Sequence, residues 1–146
     1  GMRRTLMAKF LFSTAVSMSV TMALVGASCA MLSIPLERIL YFTLTVGVMA
    51  FTLNALAVGL GAVYPNFRED NPSKIVSGFG GTLCLVLSFL YIIGMLSLMA
   101  ATSRWAFGGS SAVIFGLGWA LFLGGSFLLG WLPLRTGIRK MASVEI

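Results

Sequence analysis

Long apolar runs separated by short polar stretches dominate the chain. Four of them, at about 10–32, 39–63, 79–101 and 112–132, contain no Asp, Glu, Lys or Arg. Each is long enough to cross a hydrocarbon core of about 30 Å as a helix rising about 1.5 Å per residue. A charge at mid-membrane costs roughly 2.5 to 3.5 kcal/mol on insertion scales, so charge-free runs of this length suit lipid. Strands of a membrane barrel need only about 9 to 11 residues and alternate apolar with polar positions, and these runs do neither. The pattern predicts an all-α polytopic membrane protein, with four transmembrane helices in two antiparallel hairpins forming a single bundle over residues 1–146.

The polar stretches predict how the helices are joined. Ser33 to Arg38 is a short turn in which Pro35 is expected to end the first helix. Residues 102–111 join the last two helices and place Trp105 as an interfacial anchor. In the middle loop Pro65 closes the second helix, and Asn71 before Pro72 reads as an N-cap followed by proline at the first helical position. Asp70 beside that cap suits the positive end of a helix. From Ser73 to Phe79 the chain is expected to lead into the third span as a short amphipathic extension, with Ile75, Val76 and Phe79 on one side. Gly78, Gly80 and Gly81 would let it bend at the membrane surface.

Composition strengthens the membrane reading. Of the 146 residues 58% are hydrophobic and 10% charged, against about 25% charged in soluble domains. A short soluble chain could not cover its surface with so few charges. Gly1 ahead of Met2 reads as a residue left by tag removal. The segment from Met2 to Cys29 could pass for a lipoprotein signal, but Gly26 stands where a large aliphatic is usual, and the apolar run exceeds the roughly 7 to 15 residues of a signal core.

The net charge of +6 is placed for orientation. Arg3, Arg4, Lys9, Arg68, Lys74, Arg135, Arg139 and Lys140 flank the spans on one side, against Arg38 and Arg104 on the other. Eight against two puts both termini and the middle loop in the cytoplasm, in a multi-pass protein of the inner (plasma) membrane. The basic residues lie between apolar runs rather than along an aromatic-studded strip, which fits the anionic face of membrane lipid and argues against nucleic acid as a partner.

The chemical inventory argues against an enzyme. There is no His, and Cys29 and Cys84 lie inside apolar runs, which removes zinc sites and His-based catalysis. No Gly-rich loop followed by Lys and Ser or Thr exists to cradle phosphates, so the chain is not itself an ATPase. No acid sits within a span to carry protons. No catalytic residue, metal site or cofactor is expected.

Two groups of residues could carry function. The middle loop brings Tyr64, Pro65, Asn66, Phe67, Arg68, Glu69, Asp70, Asn71, Pro72 and Lys74 together, and reads either as a stiff hairpin or as a partner-docking surface. Ala112, Gly116, Ala120 and Gly124 recur every four residues and suggest helix packing, within the chain or in a homo- or hetero-oligomer. Ala15, Ser19, Ala23 and Ala27 form a similar row. Asn54 is the most polar group near the centre of any span and is expected to make an interhelical hydrogen bond. The Ser and Thr residues of the first span can bond their own backbone carbonyls.

The stretch from Gly59 to Pro72, supported by Arg3, Arg4, Leu6 and Ala8-Lys9-Phe10-Leu11 ahead of the first span, resembles the membrane subunit of ABC-2-type exporters, within the ATP-binding cassette group. The resemblance covers roughly the first 100 residues. It implies the C-terminal portion of a larger permease, or a reduced relative of one, that pairs with a separate cytoplasmic ATPase subunit. No substrate-binding residue follows from it. The alternative is a small non-transport membrane scaffold acting through helix–helix packing.

Overall fold

The computed structural model describes residues 1–64, 71–108 and 112–144, apart from the side chains at 2, 3, 72, 75, 76, 103–107, 141 and 144. Among these residues the chain is all-helical: α1 (Met2–Met31), α2 (Leu36–Val63), α3 (Pro72–Ser77), α4 (Phe79–Phe107) and α5 (Ala112–Val144). All but α3 are long and apolar enough to cross a membrane, over Arg4–Met31, Leu36–Val63, Phe79–Thr102 and Ala112–Lys140. Their outer faces carry side chains such as Leu11, Phe12, Leu85, Phe89, Leu121 and Phe127, all largely exposed. Lipid is the solvent that such a surface requires, and the molecule is a multi-pass membrane protein.

Several helices run past the apolar spans. α1 begins at Met2 rather than near residue 10, and α5 continues from the expected end at residue 132 through Pro133 to Val144. Hydropathy marks only the part of a helix that lies in hydrocarbon. Basic, helix-favouring flanks such as Arg135 to Met141 keep the i→i−4 ladder going into water.

α2 is the central helix, with buried residues along its whole length from Tyr41 to Ala62. α1 lies on one side of it, and Met18 and Met22 of α1 extend their methyl groups over Gly47. Phe10 meets Phe51 edge to face at 5.5 Å. On another side Tyr41, Met49, Tyr91, Met99 and Phe122 form the buried core, with Phe115 and Trp119 packed against it. The Tyr41 hydroxyl donates to the Met99 carbonyl at 3.1 Å, and the Tyr91 and Ser126 hydroxyls bond at 2.7 Å.

The turn after α1 corrects the expected role of Pro35. The Ile34 N–H reaches the Cys29 carbonyl and the Ser33 N–H the Ala30 carbonyl, each at 3.4 Å, around Ser33 at φ 51°. This pair of bonds about a left-handed residue is a Schellman cap, which satisfies the last carbonyls before proline is reached. Pro35 instead precedes the first turn of α2, with φ −57° and ψ 143°.

The lead-in to the third span is helical and turns at Gly78, as expected, but the turn is a full break rather than a bend. α3 is a separate six-residue helix, because Gly78 at φ −67° and ψ 168° is extended and breaks the ladder before α4. Asn71 caps α3 by accepting a hydrogen bond from the Ser73 N–H at 3.1 Å.

Close backbone approach in the bundle does not run through the four-residue rows. Ala112, Gly116, Ala120 and Gly124 all face outward, and a Cβ added at Gly116 or Gly124 would meet nothing within 4 Å. Ala15, Ser19, Ala23 and Ala27 of α1 are likewise exposed. The contacts are made instead by Gly118 against Thr102 and Gly125 against Met95 on the α4 side, and by Gly130 against Ala55 and Gly137 against Ala62 on the α2 side. At 3.6 residues per turn, positions seven apart share a face to within about 20°. Gly118 and Gly125 therefore form one face and Gly130 and Gly137 another, about 120° round the helix.

Candidate functional site

The end of the bundle that holds the start of α1, the end of α2 and the C-terminal part of α5 is built around Tyr64. Its N–H closes α2 by donating to the Leu60 carbonyl at 3.0 Å. Its ring meets Phe79, the first residue of α4, edge to face at 5.4 Å. A Cβ at Gly80 would lie 2.8 Å from the Tyr64 Cβ, so only glycine lets α4 start this close. From α5 the Lys140 ammonium donates to the Val63 carbonyl at 2.7 Å and lies 5.5 Å from the Tyr64 ring centroid. One aromatic residue thus gathers three helix ends into a platform.

Among the proposed docking residues, the structure places Tyr64 on this platform, Asn71 as the cap of α3, and Lys74 exposed on α3. Pro72 is the first residue of α3. Pro65, Asn66, Phe67, Arg68, Glu69 and Asp70 lie outside the described residues, as does the side chain of Trp105. Among the described residues this end bears only basic charges, including Arg4, Lys9, Arg135, Arg139 and Lys140, while the one described acid, Glu37, opens α2 at the opposite end.

Asn54 ties α1 to α2 within the membrane. Its carboxamide oxygen accepts from the Ser13 hydroxyl at 2.9 Å and the Ser17 hydroxyl at 3.4 Å, while its nitrogen donates to the Ala50 carbonyl at 2.9 Å. Ser19 does bond back to its own helix, at the Ala15 carbonyl. Thr14 is different: its buried hydroxyl has no partner among the described residues.

A groove of about 500 Å³ opens between α1, α2 and α5. Phe10, Val48, Phe51, Leu123, Phe127 and Trp131 are among its lining side chains, and its walls are almost wholly apolar. Trp131 stands near its basic end, stacked with Phe127 at 5.6 Å, and the Arg135 guanidinium lies 5.1 Å from the Trp131 ring centroid. Cys29 and Cys84 are both free. Among the described residues no cluster of His, Cys, Asp or Glu could hold a metal ion.

Sequence reasoning gave Lys140 only as an orienting charge and Gly59 only within the resemblance stretch, and it missed Gly137, Tyr91 and Ser126. The heptad spacing of the α5 glycines was the readable signal for the packing faces. Nothing local marks Lys140, which reaches α2 only because α5 stays helical beyond Pro133.

Fold and site define a four-span membrane protein with a basic platform at one end. The whole chain, residues 1–146, matches the family model described as "Putative ATP-binding cassette", and the chain belongs to that family. The match extends beyond the first 100 residues on which the sequence resemblance rested. No curated protein and no solved structure matches the chain.

Proposed function

We propose that the chain is the membrane-spanning component of an ABC-type exporter in the plasma membrane, coupled to a separate cytoplasmic ATPase subunit. One observation carries this reading: a member of an ATP-binding cassette family whose described residues hold four helices long and apolar enough to span a membrane and whose residues 1–146 hold no phosphate-cradling loop. ATP hydrolysis in this reading is supplied by a separate cytoplasmic subunit. The basic end, with both termini and the middle loop, faces the cytoplasm by the positive-inside rule, and the platform around Tyr64 is where the ATPase docks.

The direct test is a photo-crosslinking residue placed at Lys74 in cells. Recovery of an ATPase subunit supports the reading, and its consistent absence overturns it. Arg68→Glu or Glu69→Lys should weaken the same capture.

The scaffold reading has one observation in its favour, the outward-facing small residues of α5. Gly116→Leu with Gly124→Leu would then abolish assembly with other membrane proteins and leave ATPase capture unaffected.

A further inference from the structure

We infer that the groove between α1, α2 and α5 is a binding site for one acyl chain of an anionic phospholipid, with the lipid phosphate held by Arg135 above Trp131. The inference does not rest on the transport reading. Three observations carry it. First, the groove extends along α5 from Leu123 to Leu134, about 17 Å at about 1.5 Å per residue, which is close to half of a core about 30 Å thick. That is the depth of a single leaflet's chains. Second, the walls are apolar and aromatic, with Ser126 already bonded to Tyr91, so an alkyl chain leaves no polar group newly unsatisfied.

Third, the charge at the groove's mouth selects the headgroup. Arg135 lies over Trp131, a residue type that settles at the membrane–water interface. By sequence, this side carries eight Lys and Arg, Arg139 and Lys140 among them, against the three acids Glu69, Asp70 and Glu145. A guanidinium pairs with phosphate in a fork geometry, and a net-negative lipid is favoured over a zwitterionic one by the surrounding positive field. A partner helix would need small residues to approach closely, whereas the small lining residues Thr52, Ala55 and Ser126 are buried and the exposed ones are the large Phe51, Phe127 and Trp131.

The test uses the full chain in mild detergent, with native mass spectrometry reading retained lipid. Phosphatidylglycerol and phosphatidylcholine with identical chains are added at equal concentration. The expected result is one phosphatidylglycerol retained in preference to phosphatidylcholine by about fivefold, the scale of one basic contact. Arg135→Gln should remove the preference, and Arg38→Gln, which deletes a charge at the opposite end of the bundle, should keep it. Val48→Phe and Leu123→Phe, which enlarge groove-lining side chains, should lower retention of both lipids. Equal retention of the two lipids, equal loss in the Arg135→Gln and Arg38→Gln variants, retention unchanged in both groove variants, or a second copy of the chain in place of lipid would each overturn the site.

Discussion

Gly59 lies directly against Pro133: a Cβ at Gly59 would stand 2.5 Å from the Pro133 carbonyl carbon and 2.5 Å from the Leu134 nitrogen. These are backbone atoms, which cannot swing aside as a methionine methyl can. α2 and α5 run parallel here, and Gly137 repeats the contact one turn on, where a Cβ would lie 2.8 Å from the Gly59 oxygen. The approach also brings Lys140 within reach of Val63, so the platform depends on it.

Gly59→Ala should therefore destabilise the protein by about 1 to 3 kcal/mol, the usual range for overpacking. Gly61→Ala should be neutral by comparison, since a Cβ there meets nothing within 4 Å. Thermal unfolding in detergent, followed by size-exclusion fluorescence, compares the two. Equal melting temperatures would refute the close contact.

The bond between Ser13 and Asn54 should be worth about 0.6 kcal/mol, the average for interhelical bonds in bundles. The loss is modest because a freed serine hydroxyl can turn back to its own helix. A double-mutant cycle with Ser13→Ala and Asn54→Leu measures the coupling. Strictly additive effects would mean that the bond does not form in the membrane.

Tyr91→Phe and Ser126→Ala should each lower stability by about 1 kcal/mol or more, as each leaves a buried hydroxyl or its site unsatisfied. The double variant should lose less than the sum of the two single losses. The readout is the same unfolding assay, and a double loss equal to the sum would place the two hydroxyls out of contact.

Ser33→Gly should stabilise the turn between α1 and α2, since the left-handed region costs an L-residue roughly 1 to 2 kcal/mol and glycine very little. Part of the gain is lost to the freer unfolded chain. Ser33→Val should lower the melting temperature. If valine is tolerated as well as glycine, the turn does not hold a positive φ.

Gly116→Leu combined with Gly124→Leu should leave the stability of the isolated chain, read by the same unfolding assay, within about 0.5 kcal/mol of the parent, as for surface changes that remove no contact. A large loss would place this row inside the bundle after all.

The candidate site was legible in uneven parts. Tyr64 and Asn71 were singled out from the loop because aromatic, Asn and Pro residues have local signatures, and the Asn71 cap is such a local matter. The polar Asn54 stood out because an amide in hydrocarbon demands a partner. Its serine partners could not be chosen from sequence, since each could equally have bonded its own helix. The small-residue rows misled because α5 carries glycines on more than one face, and spacing alone does not say which face meets a neighbour.

By itself, the sequence determined that there are four apolar spans, where they lie along the chain and which end is basic. These follow from the cost of charge in hydrocarbon and from helix length, both of which are local sums over residues. Only the tertiary structure decided which faces meet. Lipid and helix surfaces are equally apolar, so hydropathy does not distinguish them, and the choice is made by close packing at particular glycines. The central place of α2, the seating of Gly59 on Pro133, the reach of Lys140 and the groove beneath Arg135 all follow from that packing.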